Sequence, residues 1–366
     1  MDIINDNWFS EYDNFYNDES DECDNLNKKN FKKLHIIKLR NNYFNICEEK
    51  DFQRRFVISK KSFEMLLQKI ENKIQYNTNR NAAIPPVIQL LVTLRFYATG
   101  CFLITAADFC GISETSAHKI IHRVSPEIAA LRNDFIKLPL LSEEIRENEQ
   151  KFFKVAKFIR VIGCMDCTHI KVESFGGENC ELYRNRKGFF SINVQVIINA
   201  KLEIIDIVAR WPGSTHDSTI FNHSRIKTLF DAHTFGDSLL LADSGYPNLP
   251  YLMTPLLHPT TPEEHLYNEA QIRTRTRIER CFGIWKRRFA ILSIGMRCRT
   301  VENTFPIIIA TAVLHNIAQQ EHNSNLISNS EQCDNTIIQI QNADLNSRNN
   351  NNEREKLILE YFKRLL

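Results

Sequence analysis

Three runs of β-branched and aromatic residues, Phe158 to Val172, Phe190 to Ile198 and Ile204 to Ala209, follow one another and commit the middle of this chain to a sheet. Such residues fit a pleated, half-buried surface, and consecutive runs joined by short connections read as a meander. A fourth apolar run, Ser238 to Ala242, ends on Asp243. Around these runs the pattern is helical: Asp217 to Leu229, then Ile272 to Phe289 with the stripe Ile278, Phe282, Trp285 and Phe289, then the apolar stretch Phe305 to Gln319. The expected fold class is mixed α/β.

The stretch before the sheet is helical. Ser59 is placed to cap a helix carrying Phe63, Leu66, Leu67 and Ile70. Pro85 and Pro86 open the next, which runs through Leu90, Leu91, Leu94 and Phe96 to Gly100, since proline suits a first turn and glycine an end. Leu103 to Phe109, a turn at Gly111, and Glu114 to Val124 follow, with Pro126 marking the end. The segment ITAADFCGISETSAHKII fits a helix-turn-helix, with Ala107 at the crossing and Ile112 and Ile120 facing inward. Thr115, Ser116, His118, Lys119 and Arg123 are then exposed toward DNA, Lys119 and Arg123 lying four residues apart on one face. The same pattern fits a three-helix packing unit with no DNA role.

Hydrophobic residues make up 43% of the chain and charged residues 25%, as in ordinary folded protein. A net charge of +2 does not by itself announce nucleic-acid binding, but its distribution is uneven. Glu11 to Asp24 is acidic, whereas Arg273 to Arg299 holds nine Arg or Lys residues against Glu279 alone. No apolar run approaches the roughly 20 residues that span a bilayer, which argues against a membrane protein. Ten irregularly spaced cysteines, and a start without a basic-then-apolar secretory pattern, predict reduced intracellular thiols. The expected organisation is a flexible acidic arm (1–50), a helical region (51–157), the α/β domain (158–319), an Asn/Ser-rich linker (320–352) and a short amphipathic C-terminal helix (353–366).

Two acids stand out. Asp166 interrupts the apolar strand RVIGCMDCTHI, and Asp243 directly follows SLLLA. A carboxylate at the end of a buried strand is costly unless paired or metal-bound. Magnesium and manganese take carboxylate oxygens, and a two-metal site, with ions about 3.5–4 Å apart, needs a third acid. Glu279 supplies it, on a helical face shared with Gly283, which leaves room for an ion or a phosphate, and Lys286, which reaches the phosphate. Each acid alone reads more readily as a cap or a surface charge; the three contexts together favour ligands.

The segments GCMDCTHI, YRNRKGFFSINVQVI, ARWPGSTHDSTIF, LLLADSGYPNLPYLMTPL, NEAQIRTRTRIERCFGIWKRRF and AVLHNIA occur in this order, with thirty-five residues between Asp243 and Glu279. In these the chain, from about Val57 to Gln319, resembles the PIF/Harbinger transposases and the Harbinger transposase-derived nucleases of the DDE superfamily. The resemblance implies an RNase H-like nuclease domain, a mixed central sheet flanked by helices, preceded by the helix-turn-helix region. It implies a catalytic, metal-binding triad of Asp166 on the first strand, Asp243 after the fourth and Glu279 on the following helix. It further implies Mg2+ or Mn2+ as cofactor, DNA as substrate, a Myb-like DNA-binding protein as partner, and work in the nucleus or also the cytoplasm. Cys167 departs from the Gly of many relatives, and Asn199 from their Asp.

The remaining motifs carry two readings each. Asp217 in GSTHDS either caps a helix or supports the site beside His216. Arg184, Arg186 and Lys187 lie in a strand connection, solvated or on phosphate, and the same holds for Arg273, Arg275, Arg277, Arg287 and Arg288; beside a metal site, a DNA channel is the better reading. Cys164 and Cys167 form C-x-x-C but point to opposite faces of a strand, which argues against chelation. His169 packs or bonds locally, and His315 reads as a structural histidine on a core helix. The leading hypothesis is thus a metal-dependent endonuclease; the rivals are a non-catalytic DNA-binding or adaptor protein and, weakest, a zinc or redox protein.

Overall fold

The computed structural model describes residues 39–78, 82–298, 300–328 and 353–366. Most of the acidic arm and most of the Asn/Ser-rich linker lie outside the described residues.

Among the described residues eight helices precede the sheet. α1 (Tyr43–Ile46), α2 (Glu49–Phe56) and α3 (Lys60–Ile74) gather aromatic rings: Tyr43 stacks at 3.9 Å on Phe109, and Phe52 meets Phe63 edge-on at 5.4 Å. The last residues of the arm are thereby packed onto the helices. Ser59 caps α3 through its Oγ, which accepts from Ser62 N at 3.1 Å. α4 (Pro86–Thr99) ends on Gly100 at φ +60°, and α5 (Leu103–Cys110) turns at Gly111 into α6 (Glu114–Ala130). α6 runs straight through Pro126, where an end was expected. Proline forfeits one backbone hydrogen bond there, but Val124, Ser125, Ile128 and Ala129 are buried on both sides of it, and that burial outweighs the loss. α7 (Arg132–Phe135) and α8 (Ser142–Ala156) follow; α8 fully buries only Phe152.

The sheet has the order β3-β2-β1-β4-β5. β1 (Val161–Lys171), β2 (Ser191–Ile198) and β3 (Ile204–Pro212) form the expected antiparallel meander, although residues 172–190 make a long first connection. Asn199 closes the tight β2–β3 turn, its Oδ1 accepting from Lys201 N at 2.9 Å and Glu203 N at 3.0 Å. The helix expected over Asp217 to Leu229 is two, α9 (Asp217–Asn222) and α10 (Arg225–Asp231), because Ser224 stops one and caps the other through Lys227 N. β4 (Leu239–Leu241) then runs parallel to β1, and β5 (Leu252–Met253) parallel to β4.

α11 (Pro262–Arg288) begins ten residues before Ile272, where the helix was expected to start. Thr261 and Glu264 form a reciprocal capping box around Pro262, which fixes that earlier start. After α12 (Ile291–Ile294), α13 (Val301–Ser328) extends beyond Gln319, where Glu321 accepts hydrogen bonds from the Ser59 and Ser62 hydroxyls. By length and composition α13 is apolar enough to cross a membrane, contrary to expectation, yet 72% of its most apolar window is buried, as in a core helix. The C-terminus is helical from Glu353 to Leu365, α14 (Glu353–Lys356) running on into a wider turn (Leu357–Tyr361) and a tighter one (Phe362–Leu365). It docks through buried Leu357, Ile358 and Phe362 and a 2.5 Å Arg160–Glu353 ion pair.

Helices cover both faces of the sheet. On one, α11, α13 and the helical region share a core with Cys164, Val194, Val196 and Leu241. On the other, Phe221, Ile226 and Phe230 pack on Ile162, Met165 and Leu240.

Candidate active site

Parallel pairing of β1 with β4 sets Cys164 opposite Leu241. Two residues farther along each chain stand Asp166, still within β1, and Asp243, just past the end of β4; the pleat turns Asp166 to the face covered by α11. Cys164 marks that face, its thiol reaching the Thr274 carbonyl at 3.4 Å. Asp166 Oδ1 accepts from Cys167 N at 2.7 Å, and Asp243 Oδ1 from Gly245 N at 3.0 Å. Gln271, fully buried on α11, holds the end of β4 in place: its Nε2 donates to Ala242 O at 2.7 Å and Met253 O at 3.3 Å. Its place three turns into a helix whose start was misread concealed it in the sequence.

Glu279 lies exposed on α11 and is joined to Asp166 through Arg275. One guanidinium nitrogen donates to Glu279 Oε1 at 2.9 Å and another lies 3.5 Å from Asp166 Oδ2. A side chain at Gly283, one turn on, would meet open space. Lys286 is turned onto β1, donating to Thr168 Oγ1 at 2.6 Å and His169 O at 2.9 Å, and burial lowers its amine to about 8.

Burial, aided by the nearby Asp243 and Asp217, lifts Asp166 to about 7, against the Cys167 N–H and Arg275, which pull it down. Between the ordinary carboxylate range and pH 7 the folded protein therefore keeps a proton that the unfolded chain releases. Stability of the metal-free protein is expected to fall from about pH 4 to about pH 7, by up to about 4 kcal/mol at about 1.4 kcal/mol per unit. Thermal melts in EDTA measure this; a flat or rising profile would mean that Asp166 ionises normally. Among the described residues no three His, Cys, Asp or Glu side chains converge closely enough to hold a cation. The donor set still fits one: two carboxylates carried by adjacent strands, one resisting ionisation because it is buried, and a third acid across Arg275, all hard oxygen ligands suited to magnesium or manganese.

The opposite face of β1 carries Cys167, whose thiol meets Tyr246 Oη at 3.1 Å, so the two C-x-x-C thiols do point apart. Asp217 does not cap α9. His216 occupies the cap position, and Asp217 Oδ1 instead accepts from Asn193 Nδ2 at 2.8 Å, because α9 packs directly on β2. Arg186, Lys187, His216 and Asp217 line a cleft of about 180 Å³ beside His169, whose Nδ1 is 3.0 Å from Ser191 Oγ. Asn185, unremarked in the sequence, shapes the loop by accepting from Lys187 N and Phe189 N.

Other basic residues are committed locally. Arg184 pairs with Glu181, donates to Gly188 O at 3.0 Å and covers the Phe190 ring. Arg273 pairs with Glu269, and Arg277 donates to Ala200 O. Arg288, expected on a DNA face, turns inward and half-buried to His315, 3.3 Å from Nδ1, while its neighbour Arg287 is exposed. One residue of difference rotates a helical side chain by about 100°, and the α13 side is the buried one. His315 is structural as expected: its Nε2 lies 2.9 Å from Leu202 O, and burial lowers it to about 3. On α6, Lys119 is exposed, but Arg123 donates to Gln75 O at 3.0 Å and lies over Tyr76, tying α6 to the end of α3.

Residues 165–316 match the family described as DDE superfamily endonuclease. The chain is 32% identical over 269 residues to "Putative nuclease HARBI1" of Homo sapiens, covering 73% of this chain and 75% of that protein. It is 29% identical to the Xenopus laevis protein of the same name, over 69% of this chain and 73% of the relative. It is 22% identical to "Protein ALP1-like" of Arabidopsis thaliana, over 75% of this chain and 72% of the relative. No solved structure matches significantly.

Proposed function

Because the chain belongs to the Harbinger transposase-derived nucleases of the DDE superfamily, we propose that it is a metal-dependent endonuclease that cleaves DNA phosphodiester bonds. The observation that carries this reading is the placement of Asp166 and Asp243 by two adjacent parallel strands, with Glu279 linked to them across α11. These three acids would hold Mg2+ or Mn2+, which when bound supplies Lewis acidity to a water and to the scissile phosphate. Burial under α11 keeps bulk water from Asp166, Gln271 holds the strand end that carries Asp243, and Asp217 acts from the far face. Arg186, Lys187 and Arg287 face solvent and meet phosphates.

The strand order and the antiparallel meander beside two parallel strands support an RNase H-like reading of the sheet. The α5–Gly111–α6 unit supports a helix-turn-helix, with Lys119, Thr115 and His118 as its readers and Arg123 anchoring the helix. A Myb-like DNA-binding partner and a nuclear site of action belong to the same proposal.

Conversion of supercoiled plasmid to nicked circle tests the central claim. Nicking is expected with magnesium or manganese and not in EDTA; DNA binding without nicking under any divalent cation would favour the non-catalytic DNA-binding reading. Two adjacent arginines give a second test. Arg287→Ala is expected to reduce the salt dependence of DNA binding by about 0.9 in logarithmic slope, the value of one phosphate contact. Arg288→Ala should leave that slope unchanged and instead lower the melting temperature, since it strips a partner from buried His315. Equal slopes for wild type and Arg287→Ala would remove Arg287 from the DNA face.

Gln271→Leu checks the support of Asp243. It takes the Gln271 donor from Ala242 O and leaves Met253 O with the Ala242 N–H alone, and a displacement of about 1 Å at a reacting group costs roughly 100-fold in rate. Full nicking activity in this variant would show that Asp243 is held by other means.

A further inference from the structure

α11 sets Arg275 one turn before Glu279, and its side chain, 17% exposed, folds back over β1. One arm of the guanidinium donates to Glu279 Oε1 at 2.9 Å and the other lies 3.5 Å from Asp166 Oδ2. A planar cation is thereby inserted between two of the three acids. The fork of a guanidinium suits two carboxylates at once. The oxygens that receive its N–H groups are those a divalent cation needs as ligands, and an oxygen turned to one is denied to the other. The acids accordingly do not converge as a ready cation site among the described residues.

We infer that Arg275 is an internal competitor of the divalent cation, so that the site loads an ion only when Arg275 releases Asp166 and Glu279 and passes to a DNA phosphate. The inference rests on the proposed reading of these acids as metal ligands. Arg275 then couples the two ligands of the enzyme: DNA that captures the guanidinium frees the carboxylates, and a cation that takes the carboxylates frees the guanidinium for DNA. By linkage each ligand strengthens the other. Open space beside Gly283 on the same helix leaves the backbone of a DNA strand room to approach.

The first measurement is Mn2+ binding to the full chain without DNA, read from the paramagnetic resonance signal of free Mn2+. Arg275→Ala is expected to bind Mn2+ at least tenfold more tightly than wild type. Arg275→Lys, which keeps the charge but loses the fork, should fall between them and guards against a folding defect in the alanine variant. Adding Asp166→Asn to Arg275→Ala should abolish the gain, which ties the ion to this site. Unchanged or weaker Mn2+ binding in folded Arg275→Ala overturns the competition. The second measurement is DNA binding in EDTA at varied salt, where Arg275→Ala should lose about 0.9 in slope; an unchanged slope overturns the transfer to phosphate. Neither readout uses cleavage. A chain that shows both effects yet never nicks keeps this inference and loses the nuclease reading, whereas a nicking chain with unaltered Mn2+ affinity does the reverse.

Discussion

Asp166→Asn is expected to abolish magnesium-dependent DNA cleavage and, at the same time, to raise the melting temperature of the metal-free protein at pH 8. Asparagine matches aspartate in volume and keeps an oxygen for Cys167 N, so β1 is not disturbed. What disappears is the negative charge. For catalysis that is a lost metal ligand, expected to cost roughly 10³-fold or more in rate, or about 4 kcal/mol of barrier. For stability it is a relief, because burial and Asp243 already push Asp166 up to about 7 and make its ionised form unfavourable in the fold. Loss of the attraction to Arg275 offsets part of that gain. Near pH 3, where the carboxyl is protonated in the folded and the unfolded chain alike, the two proteins should melt alike. Undiminished nicking would remove Asp166 from the site, and equal melting temperatures at pH 8 would mean that no buried charge was relieved.

The first four strands, and the acids set against them, were visible in the sequence because both rest on short-range pattern: β-branched runs fix the strands, and a charge set in or after an apolar run stands out, Asp166 within β1 and Asp243 just past β4. The adjacency of Asp166 and Asp243 was not visible in that pattern, since it arises from parallel pairing of β1 with β4 across a long stretch of chain. The face of a helical arginine was equally hidden. Arg287 and Arg288 look alike in a basic run, yet packing against α13 turns one outward and the other to His315. Arg275 looked like one more channel residue, and only the approach of α11 to β1 shows that it lies between two of the acids. Asp217 has good capping chemistry, but the Asn193 amide on β2 claims its carboxylate. The early start of α11 was legible in principle, for Thr261, Pro262 and Glu264 make a capping box that outranks the later onset of apolar periodicity.

Asn316→Leu is expected to destabilise the protein by about 3 kcal/mol or more. The segment AVLHNIA gave no reason for an asparagine on an apolar helix, and the fold supplies it. β3 is an edge strand, whose outer N–H and C=O groups lack a neighbouring strand. Asn316, 1% exposed on α13, covers that edge: its Oδ1 accepts from Ile204 N at 2.8 Å, and its Nδ2 donates to Ile204 O at 2.6 Å. The same nitrogen donates to Phe135 O at 2.8 Å, satisfying a carbonyl in the last turn of α7. One carboxamide thus joins the sheet, the helical region and α13. Leucine fits the space but leaves three buried backbone groups unpaired, each costing about 1–3 kcal/mol. Such a loss is a large share of the roughly 5–15 kcal/mol that holds a folded protein together. Urea unfolding measures it. Asn316→Asp distinguishes hydrogen bonding from packing, because aspartate keeps the acceptor for Ile204 N but sets a charge against two carbonyls, and should destabilise at least as much as leucine. A loss under about 1 kcal/mol for Asn316→Leu would mean that the β3 edge finds other partners, and that this asparagine is not what fastens the helical region to the sheet.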